Sequence, residues 1–279
     1  MKLAYSSNAY RRFPIAEAIE RIATLGYQGM ELMADAPHAW PADTTDRELH
    51  AIRDRLQAFD LRLSNVNAFM TTAIGDFWHP SWIEADPAAR RSRLQHTVRA
   101  LYLAAKLGAP SITTEPGGPL DAGISREQAL DWFEEGLREA LPHAEEAGVS
   151  LLVEPEPGLL VENAEQFLSL AGRIDSPMLG LNFDVGHFFC VGDPLESTIA
   201  RLAKHTRHYH LEDIAATRVH EHLVPGQGAI DFAKVLAAVR NTGYDGWLTV
   251  ELYPYLDDPD AAGQEARRIL DKLLGPHEP

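Results

Sequence analysis

The stretch HYHLED, residues 208–213, places His208, His210 and Glu212 at every second position. Side chains alternate between the two faces of a β-strand, so these three residues share one face. Tyr209 and Leu211 occupy the other face. A half-exposed strand produces this pattern, and so does a strand that delivers metal ligands into an interior. The rest of the chain favours the second interpretation.

Eight short apolar runs alternate with amphipathic helical segments along almost the whole chain, and they predict a single-domain (β/α)8 TIM barrel. An open doubly wound sheet is the weaker alternative, because SSNAYRRF (6–13) follows the first run where such sheets carry a glycine-rich phosphate loop. The barrel is expected to span residues 1–274, with a tail at 275–279. Pro142 should kink or restart its helix. The runs are KLAYS (2–6), GMELMA (29–34), LRLSNVN (61–67), PSITT (110–114), VSLLVE (149–154), LGLNFD (179–184), HYHLE (208–212) and WLTVEL (247–252).

The composition excludes several classes of protein. Twenty-five Lys and Arg against 41 Asp and Glu give a net charge of −16, which argues against nucleic-acid binding as the main task. No run approaches the ~18 apolar residues of a membrane span. The first residues contain no apolar segment typical of a signal peptide, and the single cysteine, Cys190, fits a reducing compartment. We expect a cytoplasmic protein.

The last four predicted strands each direct a metal-capable side chain inward near the C-terminal end, where barrel enzymes carry their chemistry. Alternation with the apolar residues selects Glu154 or Glu156, Asp184, His210 and Glu251. Three carboxylates and an imidazole at one barrel mouth would repel one another without a cation. Any one of these residues alone could lie at the rim of the barrel, in water or in a salt bridge. That alternative accounts poorly for four such residues that all point inward at the ends of successive strands.

Six motifs carry a resemblance to a known family. VEPEPG (153–158), NFDVGH (182–187), HYHLED, VPGQG (224–228), TVEL (249–252) and GYQGMEL (26–32) resemble the sugar isomerase/epimerase superfamily with the xylose-isomerase-like TIM barrel. Ketose 3-epimerases, hydroxypyruvate isomerases, inosose dehydratases and dehydroshikimate dehydratases belong to it. The motifs specify the superfamily well and the substrate poorly.

The resemblance implies one divalent metal held by Glu154, Asp184, His210 and Glu251. It further implies that Glu154 and Glu251 move a proton next to the substrate carbonyl, and that His187 contacts the substrate. A site rich in oxygen ligands with one imidazole favours Mn²⁺ or Mg²⁺, with Co²⁺ and Zn²⁺ as alternatives.

Two positions leave alternatives open. Glu154 and Glu156 share a face, so Glu154 is favoured only as the first acid after the apolar run, and Glu156 either binds substrate or lies at the rim. In RVHEHLVPGQG (218–228), Leu223 stands where ketose epimerases have an arginine before VPG. Arg218 is then expected to supply a cation to the substrate, beside His222.

Several further residues have competing interpretations. Asn67 either binds substrate or starts a turn. Glu31 lies at the mouth or is structural, Glu212 and Asp213 orient His210 or cap the loop, and His220 with His222 is solvated or binds metal. Gly226 and Gly228 shape a turn or bind phosphate. Aromatic residues in the loops after strands two and three form a wall over the substrate or anchor the loops; they are Trp40, Phe69, Trp78 and Trp82.

The sequence therefore predicts a metal-dependent isomerase or epimerase of a small carbohydrate-like substrate. A dehydratase that uses the same metal site is the alternative. An endonuclease-IV-like nuclease ranks lower, because SNVNAF and ITTEPGG lack the additional histidines and the chain is acidic. A non-catalytic barrel is disfavoured by the intact ligand set. Homodimers are common in the superfamily, so a homodimer is compatible with the resemblance.

Overall fold

The computed structural model describes residues 1–275 and shows a closed barrel of eight parallel strands. Each strand pairs with the next along the chain, and β8 closes on β1. The predicted (β/α)8 fold is confirmed. The strands are β1 Lys2–Ser6, β2 Gly29–Met33, β3 Arg62–Asn67, β4 Ser111–Thr114, β5 Ser150–Val153, β6 Leu179–Asp184, β7 Thr206–Leu211 and β8 Trp247–Val250.

Helices surround the barrel, and a short 3₁₀-helix at Ser7–Tyr10 follows β1. Two helices instead of one connect β6 to β7. Of the predicted tail, residues 276–279 lie outside the described residues. The helices are α1 Ile15–Thr24, α2 Asp46–Ala58, α3 Pro87–Leu107, α4 Arg126–Ala147, α5 Ala164–Ala171, α6 Val185–Val191, α7 Leu195–Leu202, α8 Phe232–Asn241 and α9 Pro259–Leu274.

Helix α4 runs without interruption through Pro142, so the expectation of a restarted helix is wrong. Proline removes one backbone hydrogen bond, and Pro142 lies on the exposed side where water can satisfy the freed carbonyl. The opposite face keeps Leu137, Leu141 and Ala144 buried against the barrel. Burial of that face holds the helix together across the proline.

The strands of the second half of the barrel direct their apolar side chains outward to the helices. Phe183, Tyr209 and Leu211 are fully buried, and the rings of Phe183 and Tyr209 lie 5.3 Å apart. Their neighbours along the chain point into the barrel and are polar. This alternation places the chemistry inside the mouth. Within residues 1–275, no helix combines the length and apolar character needed to cross a membrane.

The strand register brings the predicted ligands together. Asp184 on β6 and His210 on β7 are cross-strand partners. Glu154 and Glu251 lie one residue beyond β5 and β8, but the Glu154 N–H donates to the Thr114 carbonyl at 3.3 Å and that of Glu251 to Leu211 at 3.2 Å. These bonds extend the strand geometry by one residue, so both glutamates keep the inward phase that alternation predicts.

Candidate active site

Four ligand-type side chains converge at the C-terminal mouth of the barrel. Glu154, Asp184, His210 and Glu251 are all buried, and each offers a ligand atom within 4.8 Å of those of the other three. His210 Nδ1 lies 2.7 Å from Glu154 Oε1, 3.5 Å from Glu251 Oε2 and 3.8 Å from Asp184 Oδ2. The structure thus groups Asp184, His210 and Glu251, which strand alternation selected, with Glu154, one of the two candidates from the fifth strand.

Two carboxylate oxygens in this cluster lack a hydrogen-bond partner within residues 1–275. They are Glu154 Oε1 and Asp184 Oδ2. The 2.7 Å contact between Glu154 Oε1 and His210 Nδ1 is close, but its direction is not that of a hydrogen bond. Buried oxygens without partners are costly unless something else satisfies them. Their convergence on one nitrogen is the arrangement that a cation would satisfy.

The electrostatics of the cluster also call for positive charge. Burial raises the pKa of Glu154 to about 7, although His210 opposes the shift. Burial likewise raises the pKa of Glu251 well above its ordinary value. Burial alone would lower the pKa of His210, but Glu31, Glu154 and Glu251 hold it well above its ordinary value. The carboxylates therefore draw a positive charge to this point.

The donor set fits a divalent metal ion. Three carboxylates and one imidazole form an oxygen-rich set that suits Mn²⁺ or Mg²⁺ and also accommodates Zn²⁺ or Co²⁺. His210 additionally has a carboxylate partner on its other nitrogen, since Nε2 lies 2.8 Å from Glu31 Oε2. Metal-binding histidines commonly have such a partner. The residues present therefore fit the ion that the resemblance implies.

A cavity lies next to the cluster, and the empty space within it, including the part that is open to solvent, is about 340 Å³. Glu154 and Glu251 form part of its wall, so the proposed acid and base face the space where a substrate would lie. The lining residues come from the ends of β1, β3, β5 and β8, from the first turn of helix α6 and from the loops that follow β3 and β7. They are Asn8, Asn67, Phe69, Met70, Phe77, Glu154, Glu156, His187, His220, His222, Glu251 and Tyr253.

Three histidines occupy one side of this cavity. His187 Nδ1 lies 2.9 Å from the Pro155 carbonyl, and His222 Nδ1 lies 2.9 Å from the Glu251 carbonyl. A carbonyl only accepts, so both rings carry their proton on Nδ1, and Nε2 is their acceptor atom; that of His222 lies 3.1 Å from His220 Nε2. Burial lowers the pKa of His187 to about 3 and that of His222 to about 4. These rings are neutral hydrogen-bond acceptors.

The two glutamates that follow β5 have different positions. Glu154 belongs to the four-ligand cluster, whereas Glu156 lies higher on the cavity wall, with Oε1 3.8 Å from His220 Nδ1. Burial raises the pKa of Glu156 well above its ordinary value. The structure thus separates two residues that sequence phase could not distinguish.

Four of the five predicted substrate-contacting residues line the cavity, and Arg218 does not. Asn67, Glu156, His187 and His222 are all part of its wall. Arg218 is exposed, and its guanidinium stacks on the Phe189 ring at 4.4 Å and donates to the Phe189 carbonyl. This contact holds its charge on the outer side of the loop. The expected cation therefore does not reach the cavity.

The glycines of VPGQG form a turn around a carboxylate. The N–H groups of Gly226 and Gly228 both donate to Asp213 Oδ2 at 2.8 Å, and that of Ile230 donates to Oδ1 at 3.0 Å. A Cβ at Gly228 would lie 2.4 Å from Asp213 Oδ1. The cradle already holds an anion, so the turn interpretation is favoured over phosphate binding. Glu212 contacts the Gly186 N–H instead of His210.

The aromatic residues of the long loops divide between the two predicted roles. Phe69 lines the cavity. Trp82 is buried, and its indole N–H donates to Thr114 Oγ1 at 2.9 Å, while Trp40 stacks on His96 at 4.8 Å. Trp78 is 39% exposed. One aromatic therefore forms the wall and two anchor the loops.

Arg93 holds the β3–α3 loop over the mouth. Its fully buried guanidinium donates to the carbonyls of Phe69 and Pro80 at 2.8 and 2.7 Å and pairs with Glu115 at 3.8 Å. Phe69 and Phe77 reach the cavity from this loop. The position of the aromatic wall thus depends on a charge buried outside the cavity.

Sequence patterns did not identify Asn8 as a site residue. It follows β1, and its Nδ2 donates to Glu251 Oε1 at 2.8 Å. Its stretch, SSNAYRRF, differs from an open doubly wound sheet by the absence of a glycine-rich phosphate loop, and nothing in it indicates a role for Asn8. No periodicity marks Asn8, because its partner lies 243 residues away and is reached only through barrel closure.

The fold and site define a TIM barrel with a carboxylate-rich metal-type cluster beneath a cavity at the C-terminal mouth. The chain matches the xylose isomerase-like TIM barrel family over residues 19–273 and belongs to that family. Fructoselysine 3-epimerase of Escherichia coli O157:H7 is 24% identical over 280 residues, which cover 98% of each chain. Inosose dehydratase of Clostridium beijerinckii is 22% identical over 281 residues, covering 93% of this chain and 89% of that protein.

Solved structures show the same fold. A D-tagatose 3-epimerase-like protein has a TM-score of 0.84 at 23% identity, with 98% of this chain and 97% of the other covered. The IOLI protein with a bound zinc atom has a TM-score of 0.81 at 20% identity, with 98% of each chain covered. The two named sequence relatives are enzymes, an epimerase and a dehydratase.

Proposed function

We propose that this protein is a divalent-metal-dependent epimerase or isomerase of a small polyhydroxylated carbonyl compound. The observation that carries the proposal is the convergence of Glu154, Asp184, His210 and Glu251 under a cavity whose wall includes both proposed proton-transfer groups. Relatives along the full chain length include a 3-epimerase. Mn²⁺ or Mg²⁺ is our proposal for the ion, and the zinc in the related IOLI structure keeps Zn²⁺ as the alternative.

The chain's own groups would carry out the proton transfer. When bound, the ion supplies Lewis-acid stabilisation of the negative charge that develops on substrate oxygens. Glu251 Oε1 is held by the amides of Asn8 and Asn67 at 2.8 and 3.2 Å, which leaves Oε2 as its free oxygen. One carboxylate takes the proton from the carbon next to the carbonyl and the other returns one from the opposite face, with Glu154 and Glu251 in these roles.

The cavity wall favours an uncharged polyol-like substrate. Nε2 of His187 can accept a hydrogen bond from a substrate hydroxyl, whereas Nε2 of His222 lies 3.1 Å from His220 Nε2. Phe69, Phe77 and Tyr253 provide an apolar wall for the C–H face of a sugar. Within residues 1–275, neither lysine nor arginine lines this cavity. A phosphate or carboxylate on the substrate would lack a cationic partner there.

A dehydratase of an inosose-like ring is the second candidate. Loss of water begins with the same proton removal next to a carbonyl, and an inosose dehydratase is similar over most of the chain. Dehydroshikimate carries a carboxylate, which this cavity wall does not favour. No observation supports the nuclease alternative. The cytoplasmic location and the homodimer stay predictions from the sequence.

The test is proton exchange in D₂O with purified, Mn²⁺-loaded protein and a panel of free ketoses, inososes, phosphorylated ketoses and dehydroshikimate. We expect deuterium to enter the carbon next to the carbonyl of an uncharged compound. Appearance of the epimer identifies an epimerase, and loss of water identifies a dehydratase. Purified protein that binds no divalent ion at all would refute the proposal.

A further inference from the structure

Glu31 lies at the centre of a buried hydrogen-bond network beneath the metal-type cluster. It is on β2, across the barrel from most of the predicted ligands, and it is fully buried. Oε1 accepts from Ser6 Oγ at 2.8 Å and from Asn67 Nδ2 at 3.3 Å. Oε2 accepts from Asn65 Nδ2 at 2.8 Å and lies 2.8 Å from His210 Nε2. Both oxygens are therefore fully engaged.

The contact with His210 determines which ring nitrogen is free. An ionised carboxylate can only accept, so His210 Nε2 carries the hydrogen in this bond. In the neutral ring that metal binding requires, Nδ1 then keeps its lone pair, and it is Nδ1 that faces Glu154, Glu251 and Asp184 at 2.7, 3.5 and 3.8 Å. The Ser6 hydroxyl and the amides of Asn65 and Asn67 all donate to this carboxylate, an arrangement that suits its ionised form.

A second arm of the network reaches Glu251. The Asn67 amide nitrogen lies between Glu31 Oε1 at 3.3 Å and Glu251 Oε1 at 3.2 Å. Asn67 Oδ1 accepts from the Phe69 N–H at 3.1 Å, which fixes the orientation of the amide. Glu251 therefore presents Oε2, and not Oε1, toward His210 Nδ1. Glu31 thus contacts one ligand directly and a second through Asn67.

We propose that Glu31 is the positioning residue of the metal site: it fixes His210 with Nδ1 toward the ion and, through Asn67, orients the Glu251 carboxylate. This inference rests on the proposed metal site and assigns Glu31 no contact with substrate. Partners of this kind typically contribute 10–100-fold to metal affinity. We expect a loss of about that size in Glu31→Gln.

The experiment measures the dissociation constant of Zn²⁺ by chelator competition and the ¹⁵N-histidine NMR spectrum of the zinc-loaded protein. Thr249→Val is the matched control, because Thr249 is also buried inside the barrel and bonds Ser64 at 3.0 Å. In the wild type, one histidine should show metal-bound Nδ1 and an exchange-protected proton on Nε2. Glu31→Gln should lose that protection, and Thr249→Val should keep both protection and affinity.

Glu31→Asp separates positioning from charge. It keeps the negative charge but shortens the side chain by one methylene, so the carboxylate draws back from His210. Weaker zinc binding and lost Nε2 protection in both variants would support positioning, and Glu31→Asp supplies the test if Glu31→Gln does not fold. Wild-type affinity in Glu31→Asp, or a metal-bound Nε2 in the wild type, would overturn the inference. If the wild type itself binds no ion, the proposed function fails first.

Discussion

Replacing Glu251 by glutamine should remove one proton-transfer group while preserving the fold. The neighbours dictate the orientation of the new amide: its oxygen takes the place of Oε1, which accepts from Asn8 and Asn67, and its nitrogen replaces Oε2. The amide keeps the shape and both hydrogen bonds. It removes one carboxylate from a crowded buried group, so the metal-free protein should melt no lower than the wild type.

The loss of activity follows from the role of the lost oxygen. Positioned acid–base groups contribute about 10²–10⁴-fold, which corresponds to roughly 2.7–5.4 kcal/mol of activation free energy. Because Glu251 is also a predicted metal ligand, kcat/KM should fall by at least this factor at saturating metal. Glu154→Gln should show a loss of the same order.

The assay is epimer formation together with deuterium exchange in D₂O. If the two carboxylates serve opposite faces of the substrate, Glu251→Gln should retain slow exchange in one epimer only, and Glu154→Gln should retain it in the other. Glu221→Gln, an exposed acid on the β7–α8 loop, is the matched control and should keep wild-type activity. Activity within about threefold of wild type in Glu251→Gln, with intact fold, would refute the assignment.

Other predictions concern metal, stability and pH. Removing metal with EDTA should lower Tm. Adding Mn²⁺ at about 100 times its Kd should raise the free energy of unfolding by ~2.7 kcal/mol, which corresponds to roughly 5–10 °C in Tm. A calorimetric scan that neither EDTA nor Mn²⁺ changes would contradict the metal site. Arg93→Met should cost about 3–5 kcal/mol in urea unfolding, because it leaves Glu115 buried without its partner. Burial lowers the pKa of His96 to about 3, so the unfolded chain binds an extra proton below the ordinary value near 6.5. The stability that depends on neutral His96 is present above about pH 6.5 and declines by up to ~1.4 kcal/mol per pH unit toward pH 3. His96→Gln should flatten this slope, and an unchanged slope in urea titrations would contradict the reasoning.

The sequence predicted that the ligand side chains point into the barrel, because the alternation of side chains along a strand is a local property. Each of Asp184 and His210 sits beside an outward apolar neighbour, so their inward direction follows from residues next to them. Glu154 and Glu251 kept that phase because one further backbone bond extended each strand. The restart expected at Pro142 did not occur, because the continuity of α4 depends on packing of the opposite face against the barrel.

The hydrogen-bond network around the ligands could not be predicted from local sequence patterns. Asn8 follows β1 and Glu31 lies in the middle of β2, while their partners Glu251 and His210 lie 243 and 179 residues further on. The position of Arg218 in the motif predicted that it would supply a cation to the substrate. Its guanidinium instead stacks on the Phe189 ring, outside the cavity. Such pairings exist only after the barrel closes.

The sequence by itself therefore determined the architecture, the family and the inward direction of Asp184, His210 and Glu251, because periodic burial and strand alternation are local properties of neighbouring residues. Only the tertiary structure decided that Glu154 and not Glu156 joins the cluster, that no arginine or lysine within residues 1–275 lines the cavity, and that Glu31 holds His210. These outcomes depend on distances between strands that closure of the barrel brings together, and no local pattern records those distances.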